Sequence, residues 1–295
     1  MKILVQIYGG LGDELCLTPI YKALKKKYPN CEITAFVKYR ELLLHNPNVD
    51  ILLSASKQSV NIHDYDLTIP MRWQTGVFEQ YSNMHLVDFF AMQARVVLED
   101  RSLEMFFMDD EYDYVNSLNL PKDRPIITFD AYANKEANRW GSKYFRELNY
   151  LMKKKHNAYI VQIGLKQYKI THIDLDTTNR NTIRQLATLI QRSTLYIGNN
   201  SGAAHIASAC KTPSVKIYGC TWADCYTHDR KIEYPISLDI ECQGCQNKKP
   251  GMNPIHKSKH IKCPTERQYE CVYGLLPDKV MEAVDVQLDN FYYKG

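Results

Sequence analysis

Apolar positions in the first third of the chain alternate between two rhythms. Lys2–Ile7 is a short apolar run suited to a buried strand. Residues 14–27 then carry Leu15, Leu17, Ile20, Tyr21 and Leu24 at helical spacing. They end in Lys25-Lys26-Lys27, which suits a helix C-terminus and solvent. Ile33–Val37, Val49–Leu53 and Asp66–Ile69 predict further strands, and His85–Val97 a helix with Leu86, Phe89, Phe90 and Ala91 inward. At residues 119–125 the text changes to NLPKDRP, whose prolines and polar residues read as a linker.

After the linker the alternation restarts. Ile126–Phe129, Ala158–Ile163, Leu195–Ile197 and Ser214–Tyr218 predict strands; Ser142–Lys154 and Ser201–Ala209 predict helices. Thr182-Ile-Arg-Gln185 is a capping box opening a helix to Gln191, and Pro277 starts a last amphipathic helix. Two βα series joined by a proline linker predict an α/β protein of two Rossmann-like, doubly wound lobes with a cleft between them. The expected division is a first lobe at 1–120 and a second at 121–295. The second carries a cysteine-rich loop at about 220–272.

Composition narrows the class. Hydrophobic residues make up 45% and charged residues 24% of the 295, an ordinary globular balance rather than a disordered one. The net charge of +4 is too weak to argue for nucleic acid and fits an anionic substrate or membrane surface at best. No apolar run approaches the roughly 20 residues of a membrane span. The apolar N-terminus leads directly into a glycine turn and offers no small-x-small cleavage site, so a cytoplasmic protein is expected.

Three loops carry candidate chemistry. The first, YGGLGDELCLTP at residues 8–19, follows the first strand and opens a helix. Gly10 and Gly12 match the start of a dinucleotide fingerprint, but Leu15 stands at its last glycine, and Lys38-Tyr-Arg40, rather than an acidic residue, follows the second strand. An NAD-dependent oxidoreductase is therefore disfavoured, and Asp13 would repel a pyrophosphate. The second loop, Gly198-Asn-Asn-Ser-Gly202-Ala-Ala-His205, has a small, uncharged first turn. Ser201, Gly202, Ala203 and Ala204 leave amides and a helix dipole open for phosphate, unless Asn200 or Ser201 caps that end. The third, Asn134-Lys-Glu-Ala-Asn-Arg139-Trp140, lies past a strand C-terminus; Lys135 and Arg139 suit phosphate oxygens, while Trp140 reads as a core anchor.

Together, Gly12-Asp13 with Thr18-Pro19, Asn138-Arg139-Trp140, the stretch from Thr182 to Ile190, the stretch from Gly198 to Ala207, and Pro213 to Gly219 resemble glycosyltransferase family 9. These are the bacterial heptosyltransferases of lipopolysaccharide assembly and their relatives. The resemblance implies a GT-B fold, an active site between an acceptor-binding lobe at 1–120 and a nucleotide-sugar-binding lobe at 121–295, and inverting transfer from a nucleotide-diphosphate sugar without Mg²⁺. ADP-heptose is the first expectation for the donor and a surface glycan or lipopolysaccharide core for the acceptor, with peripheral contact at the inner membrane. Asp13 would be the base that deprotonates the acceptor hydroxyl. The donor would lie on Thr128, Lys135, Arg139, Asn200, Ser201, Gly202, Ala203, Ala204 and His205, with Gly10 and Gly12 shaping the first loop. The family usually reads Asp-Ser-Gly where this chain has Asn200-Ser-Gly, which leaves room for another sugar or for a non-catalytic sugar-nucleotide binder.

There are nine cysteines. Cys16, Cys31 and Cys210 sit in apolar-periodic stretches and read as core. The others fall between residues 220 and 271, and such clustering in a reducing cytosol favours a metal over disulfides. Cys242-Gln-Gly-Cys245 with Cys263 and Cys271 is one tetrahedral set; Cys220 in place of Cys271 is another, and His256 and His260 are further candidates. The Cys220 set resembles the iron-finger of heptosyltransferases that modify autotransporters, and zinc or iron suits either. It raises transfer to protein as an alternative activity.

Overall fold

The structure is a computed structural model, described here for residues 1–71, 84–134, 136–165, 169–246, 263 and 266–294. Its first sheet is built from β1 (Lys2–Ile7), β2 (Glu32–Val37), β3 (Ile51–Ser54) and β4 (Leu67–Met71) in the order β3-β2-β1-β4, with every pair parallel. Pro70, which lacks an N–H for the ladder, sits on the edge strand β4, where a missing donor costs least. The second sheet holds β5 (Ile126–Asp130), β6 (Tyr159–Gln162), β7 (Leu175–Asp176), β8 (Leu195–Asn199), β9 (Ser214–Tyr218) and β10 (Glu233–Ser237). Its order is β10-β9-β8-β5-β6-β7, again parallel throughout. β5, β8 and β9 are buried at every position, as expected of strands covered on both faces.

The helices depart from the sequence pattern in instructive places. The single helix expected over 14–27 is two, α1 (Leu11–Leu15) and α2 (Thr18–Lys27), because Pro19 can stand only in a first turn and so begins a new helix. α3 (Leu86–Ala94) ends three residues short of Val97, where Arg95 turns left-handed at φ 53°. A short α4 (Asp113–Ser117) precedes α5 (Ser142–His156) and α6 (Ile183–Arg192); Thr182 and Gln185 form the expected capping box on α6. α7 (Gly202–Ala209), α8 (Glu270–Tyr273) and α9 (Pro277–Leu288) follow. β3 begins two residues later than its expected start at Val49, and β7 and β10 have no counterpart among the expected strands; all three are edge strands, where the apolar signal is weakest.

One apolar cluster joins Ile3, Val5 and Ile7 of the first sheet to Ala187, Ile190, Ala203 and Ala207 of α6 and α7, so the two sheets share a core. The far face of the second sheet packs Phe129, Ile197 and Val215 against Trp140, Phe145 and Val284. Arg184, on α6, reinforces the junction. Its fork pairs with Glu111 at 2.6 Å through both Nε and Nη2, and it donates to the carbonyls of Glu41 and Phe106.

Candidate active site between the two sheets

The first glycine turn and the second meet. α1 packs on α7: Leu11 lies over Gly202, where a Cβ would come within 3.2 Å of Leu11 Cδ2, and Gly12 lies against the ring of His205. Both loops therefore face one junction although 190 or so residues separate them in sequence. Asp13 is half-buried there and its Oδ2 accepts the Gly10 N–H at 2.6 Å, which shapes the turn. Its neighbour Glu14 is fully buried, and both its oxygens accept amides, of Lys38 and Tyr39, at 2.8 Å. Burial raises the Glu14 carboxyl to about 7 against the pull of those amides. Glu14 thus pins the α1 turn to the end of β2 and leaves Asp13 as the outward carboxylate.

On the facing side, Ser201 is the N-cap residue of α7 but makes no side-chain cap; its hydroxyl turns to Asp130 Oδ2 at 3.4 Å. The amides of Ala204 and His205 already bond to the Ser201 carbonyl. That leaves the amides of Ser201, Gly202 and Ala203 as the candidates at this helix end. Asn200 donates to Thr221 Oγ1 at 3.1 Å, and Thr221 in turn donates to Asn138 Oδ1 at 3.3 Å. That chain ties the second glycine turn to the Asn138-Arg139-Trp140 loop, as does the Trp140 N–H to Asn199 Oδ1 bond of 2.8 Å. Trp140 is wholly buried and donates its indole N–H to the Leu275 carbonyl, a core anchor as its residue type suggests.

Several expected donor contacts need revision. Thr128 is fully buried in the middle of β5, and its hydroxyl has no hydrogen-bond partner there. Two residues on, with the same side-chain direction, Asp130 ends β5 at the mouth of the site. Its carboxyl takes the Tyr132 N–H at 2.9 Å and is pushed up to about 7 by burial. The sequence does carry a signal for Asp130, an acid at a strand C-terminus. Arg139 donates from Nε and Nη2 to the Ala133 carbonyl and lies 5.2 Å from the Tyr132 ring centroid, so part of its fork braces its own loop. Lys135 lies outside the described residues, as do His256 and His260. His205 is buried, with Nδ1 3.0 Å from His228 Nε2.

The cysteine-rich turn is pinned to the same region. Cys220 N–H donates to Ala137, Gln246 N–H to Cys220, and the Gln243 amide to the carbonyls of Gly219 and Thr221. Cys242, Cys263 and Cys271 lie near enough to Cys245 to act on one another electrostatically; burial, then those thiols, pushes Cys271 up to about 12 and Cys245 to about 11. Cys220 is buried beside Ala137, with Cys245 packed against the pair, and its Sγ lies 3.2 Å from Asn138 Oδ1. Cys225 is a buried core thiol. Among the described residues, the one trio of Cys, His or carboxylate ligand atoms all within 4.8 Å of each other is Cys16, His205 and His228.

Among known proteins, the family model described as glycosyltransferase family 9 (heptosyltransferase) matches residues 72–256. Lipooligosaccharide heptosyltransferase 2 of Campylobacter jejuni serotype O:6 is 23% identical, over 96% of this chain and 98% of its own. Among solved structures, the Escherichia coli ADP-heptose lipopolysaccharide heptosyltransferase II superposes with a TM-score of 0.72 at 18% identity, covering 98% of this chain and 99% of that one. The iron-containing dodecameric glycosyltransferase TibC of enterotoxigenic E. coli superposes with a TM-score of 0.75 at 15% identity, over all of this chain and 80% of that one. The paired parallel-sheet lobes are thus the GT-B fold of these heptosyltransferases.

Proposed function

This chain belongs to glycosyltransferase family 9 and is a heptosyltransferase-like glycosyltransferase; from that premise we propose that it moves a heptose from ADP-heptose to a surface glycan or lipopolysaccharide-core acceptor with inversion. The observation that carries the reading is the contact of the two glycine turns, Gly12 on His205 and Leu11 on Gly202. It sets a carboxylate and an uncapped helix N-terminus at one junction. The names of the relatives, a lipooligosaccharide heptosyltransferase and an ADP-heptose lipopolysaccharide heptosyltransferase, support the donor and the acceptor class.

In the reaction, the ionised Asp13 carboxylate takes the proton of the acceptor hydroxyl as its oxygen attacks the anomeric carbon. The bond from that carbon to the diphosphate oxygen breaks on the opposite face, and the electron pair leaves with the diphosphate. The Gly202 and Ala203 amides, the dipole of α7 and the remaining N–H groups of Arg139 stabilise the charge that collects there, with Lys135 as a further cation. Asn200 holds Thr221 and so the shape of the donor side, an uncharged substitute for the family's aspartate. Transfer takes place in the cytoplasm at the inner membrane. No helix among the described residues is long and apolar enough to cross a membrane, so contact there is peripheral in this reading.

The cysteine-rich turn suits a structural metal. Burial, then the neighbouring thiols, raises Cys245 and Cys271 beside Cys242 and Cys263, and a thiophilic cation would relieve that crowding by taking up thiolates. Zinc or iron there would fasten the turn beneath Asn138. The alternative set with Cys220 in place of Cys271, which resembles an iron-finger, makes transfer to protein the second reading; TibC, similar in fold, is iron-containing. Thermal-shift titration with ADP-, GDP- and UDP-sugars tests the main one: ADP-heptose is expected to raise the melting point most, and a preference for a UDP- or GDP-sugar would overturn the donor assignment.

A further inference from the structure

Behind Asp13 the two lobes meet at a cluster the transfer reaction does not use. Cys16 closes α1, His205 lies in α7, and His228 follows β9. Cys16 Sγ is 3.8 Å from His205 Nδ1, and that nitrogen is 3.0 Å from His228 Nε2. About a tetrahedral ion with metal–nitrogen bonds of about 2.0–2.1 Å and a metal–sulfur bond of about 2.3 Å, ligand atoms stand roughly 3.3 Å (N to N) and 3.6 Å (S to N) apart. These two observed spacings lie within about 0.3 Å of those values, and all three ligand atoms lie within 4.8 Å of one another. Cys16 and His205 are buried at this junction.

Two buried polar atoms beside the rings lack partners. One proton between the rings satisfies Nδ1 of His205 and Nε2 of His228, but either tautomer leaves His228 Nδ1 buried without a partner. Glu233 Oε1 is likewise buried without a partner, while its Oε2 accepts the His228 backbone N–H at 3.0 Å and pairs with Lys216 at 2.9 Å. Ligation through Nε2 fixes the His228 proton on Nδ1, while Glu233 is held to the same residue through its backbone N–H. The Lys216–Glu233 pair cancels the one buried ammonium close by. His85 shields the site without joining it: its Nε2 faces the Thr227 carbonyl and its Nδ1 takes the Val87 N–H.

We propose that Cys16, His205 and His228 form a site for a divalent cation of the zinc class, which ties the α1 turn of the first lobe to α7 of the second. The site has three protein ligands and one open position, and its occupation stiffens the junction that carries Asp13. The set is separate from the cysteine-rich turn, and the two can be tested apart.

The test uses Co²⁺ as a spectroscopic probe, added anaerobically to the full chain carrying Cys242→Ser and Cys245→Ser. Expected is a thiolate-to-cobalt charge-transfer band that saturates at about one equivalent per chain. Adding Cys16→Ser abolishes the band, and adding His228→Gln instead weakens binding at least tenfold. Absence of the band in the protein lacking only the two loop cysteines, or a band that survives Cys16→Ser, overturns the proposal. Should the loop variant fail to fold, zinc X-ray absorption on the unsubstituted chain and on Cys16→Ser decides. Loss of a mixed sulfur–imidazole shell on substitution supports the site, and an all-sulfur shell in both refutes it.

Discussion

Gly12 lies flat on the imidazole of His205, so close that a Cβ at residue 12 would overlap the ring carbon Cδ2. The second glycine of the first loop is therefore needed for an approach between lobes rather than for a pyrophosphate. The ring is buried and packed on several sides, so it has little room to yield. Gly12→Ala should cost about 1–3 kcal/mol through overpacking. Sugar transfer should fall further than the melting temperature suggests, because the α1 turn shifts. Calorimetry alongside a transfer assay checks both; a fully active, fully stable variant would contradict the described contact.

Asp13 has two separable duties, as acceptor for the Gly10 amide and as proposed base. Asp13→Asn retains an oxygen for the amide but cannot take a proton. It should fold and bind ADP as the unsubstituted chain does while kcat drops about 10²–10⁴-fold. Asp13→Ala should lose transfer equally and some stability as well. Weaker ADP binding with normal turnover in Asp13→Asn would reverse the assignment.

Asp130 makes a pH prediction. Burial raises its carboxyl from 3.8 to about 7 in the folded chain. A group raised on folding contributes stability that is complete below its unfolded pKa and lost as pH climbs through the folded one, here from about pH 4 to pH 7. Asp130→Asn removes the loss while still accepting the Tyr132 amide. Its melting temperature should exceed that of the parent at pH 8, by an effect on the order of 1–4 kcal/mol, and match it near pH 4. Equal melting curves at pH 8 would mean that the carboxyl is already ionised without cost.

Arg184 and Glu111 form the charged brace of the lobe junction, with side-chain exposures of 10% and 17%. Their pairing holds the Glu111 carboxyl below its ordinary value, so its stabilisation is present at neutral pH and disappears as pH falls below about 4.5. Glu111→Gln leaves the guanidinium half-compensated by the Glu41 and Phe106 carbonyls and should cost about 1–3 kcal/mol at pH 7. The penalty should shrink at pH 4, and a pH-independent penalty would point to packing instead of charge.

Arg139→Ala should weaken ADP binding by isothermal calorimetry about tenfold, since one charge-assisted contact to phosphate contributes about 1.5–3 kcal/mol. Because the same side chain braces Ala133, thermal stability should fall too. Loss of stability with unchanged ADP affinity would assign the residue to its loop alone.

The alternation of apolar runs and helical stripes was enough to predict two parallel βα series, because burial on both faces imposes unbroken apolar strands such as Ile126–Asp130. Local chemistry was legible as well: the Thr182–Gln185 capping box and the glycine turns at Gly12 and Gly202 are short-range features, readable from neighbours in the chain. Tertiary packing decided the rest. It sank Thr128 into the sheet and left Asp130 at its mouth, a difference of position that pattern alone did not separate. It also drew Cys16, His205 and His228 within 4.8 Å of one another from three separate segments. Hydrophobic period reports which face of an element is buried, whereas the meeting of distant side chains depends on how two sheets pack, and no local pattern encodes that distance.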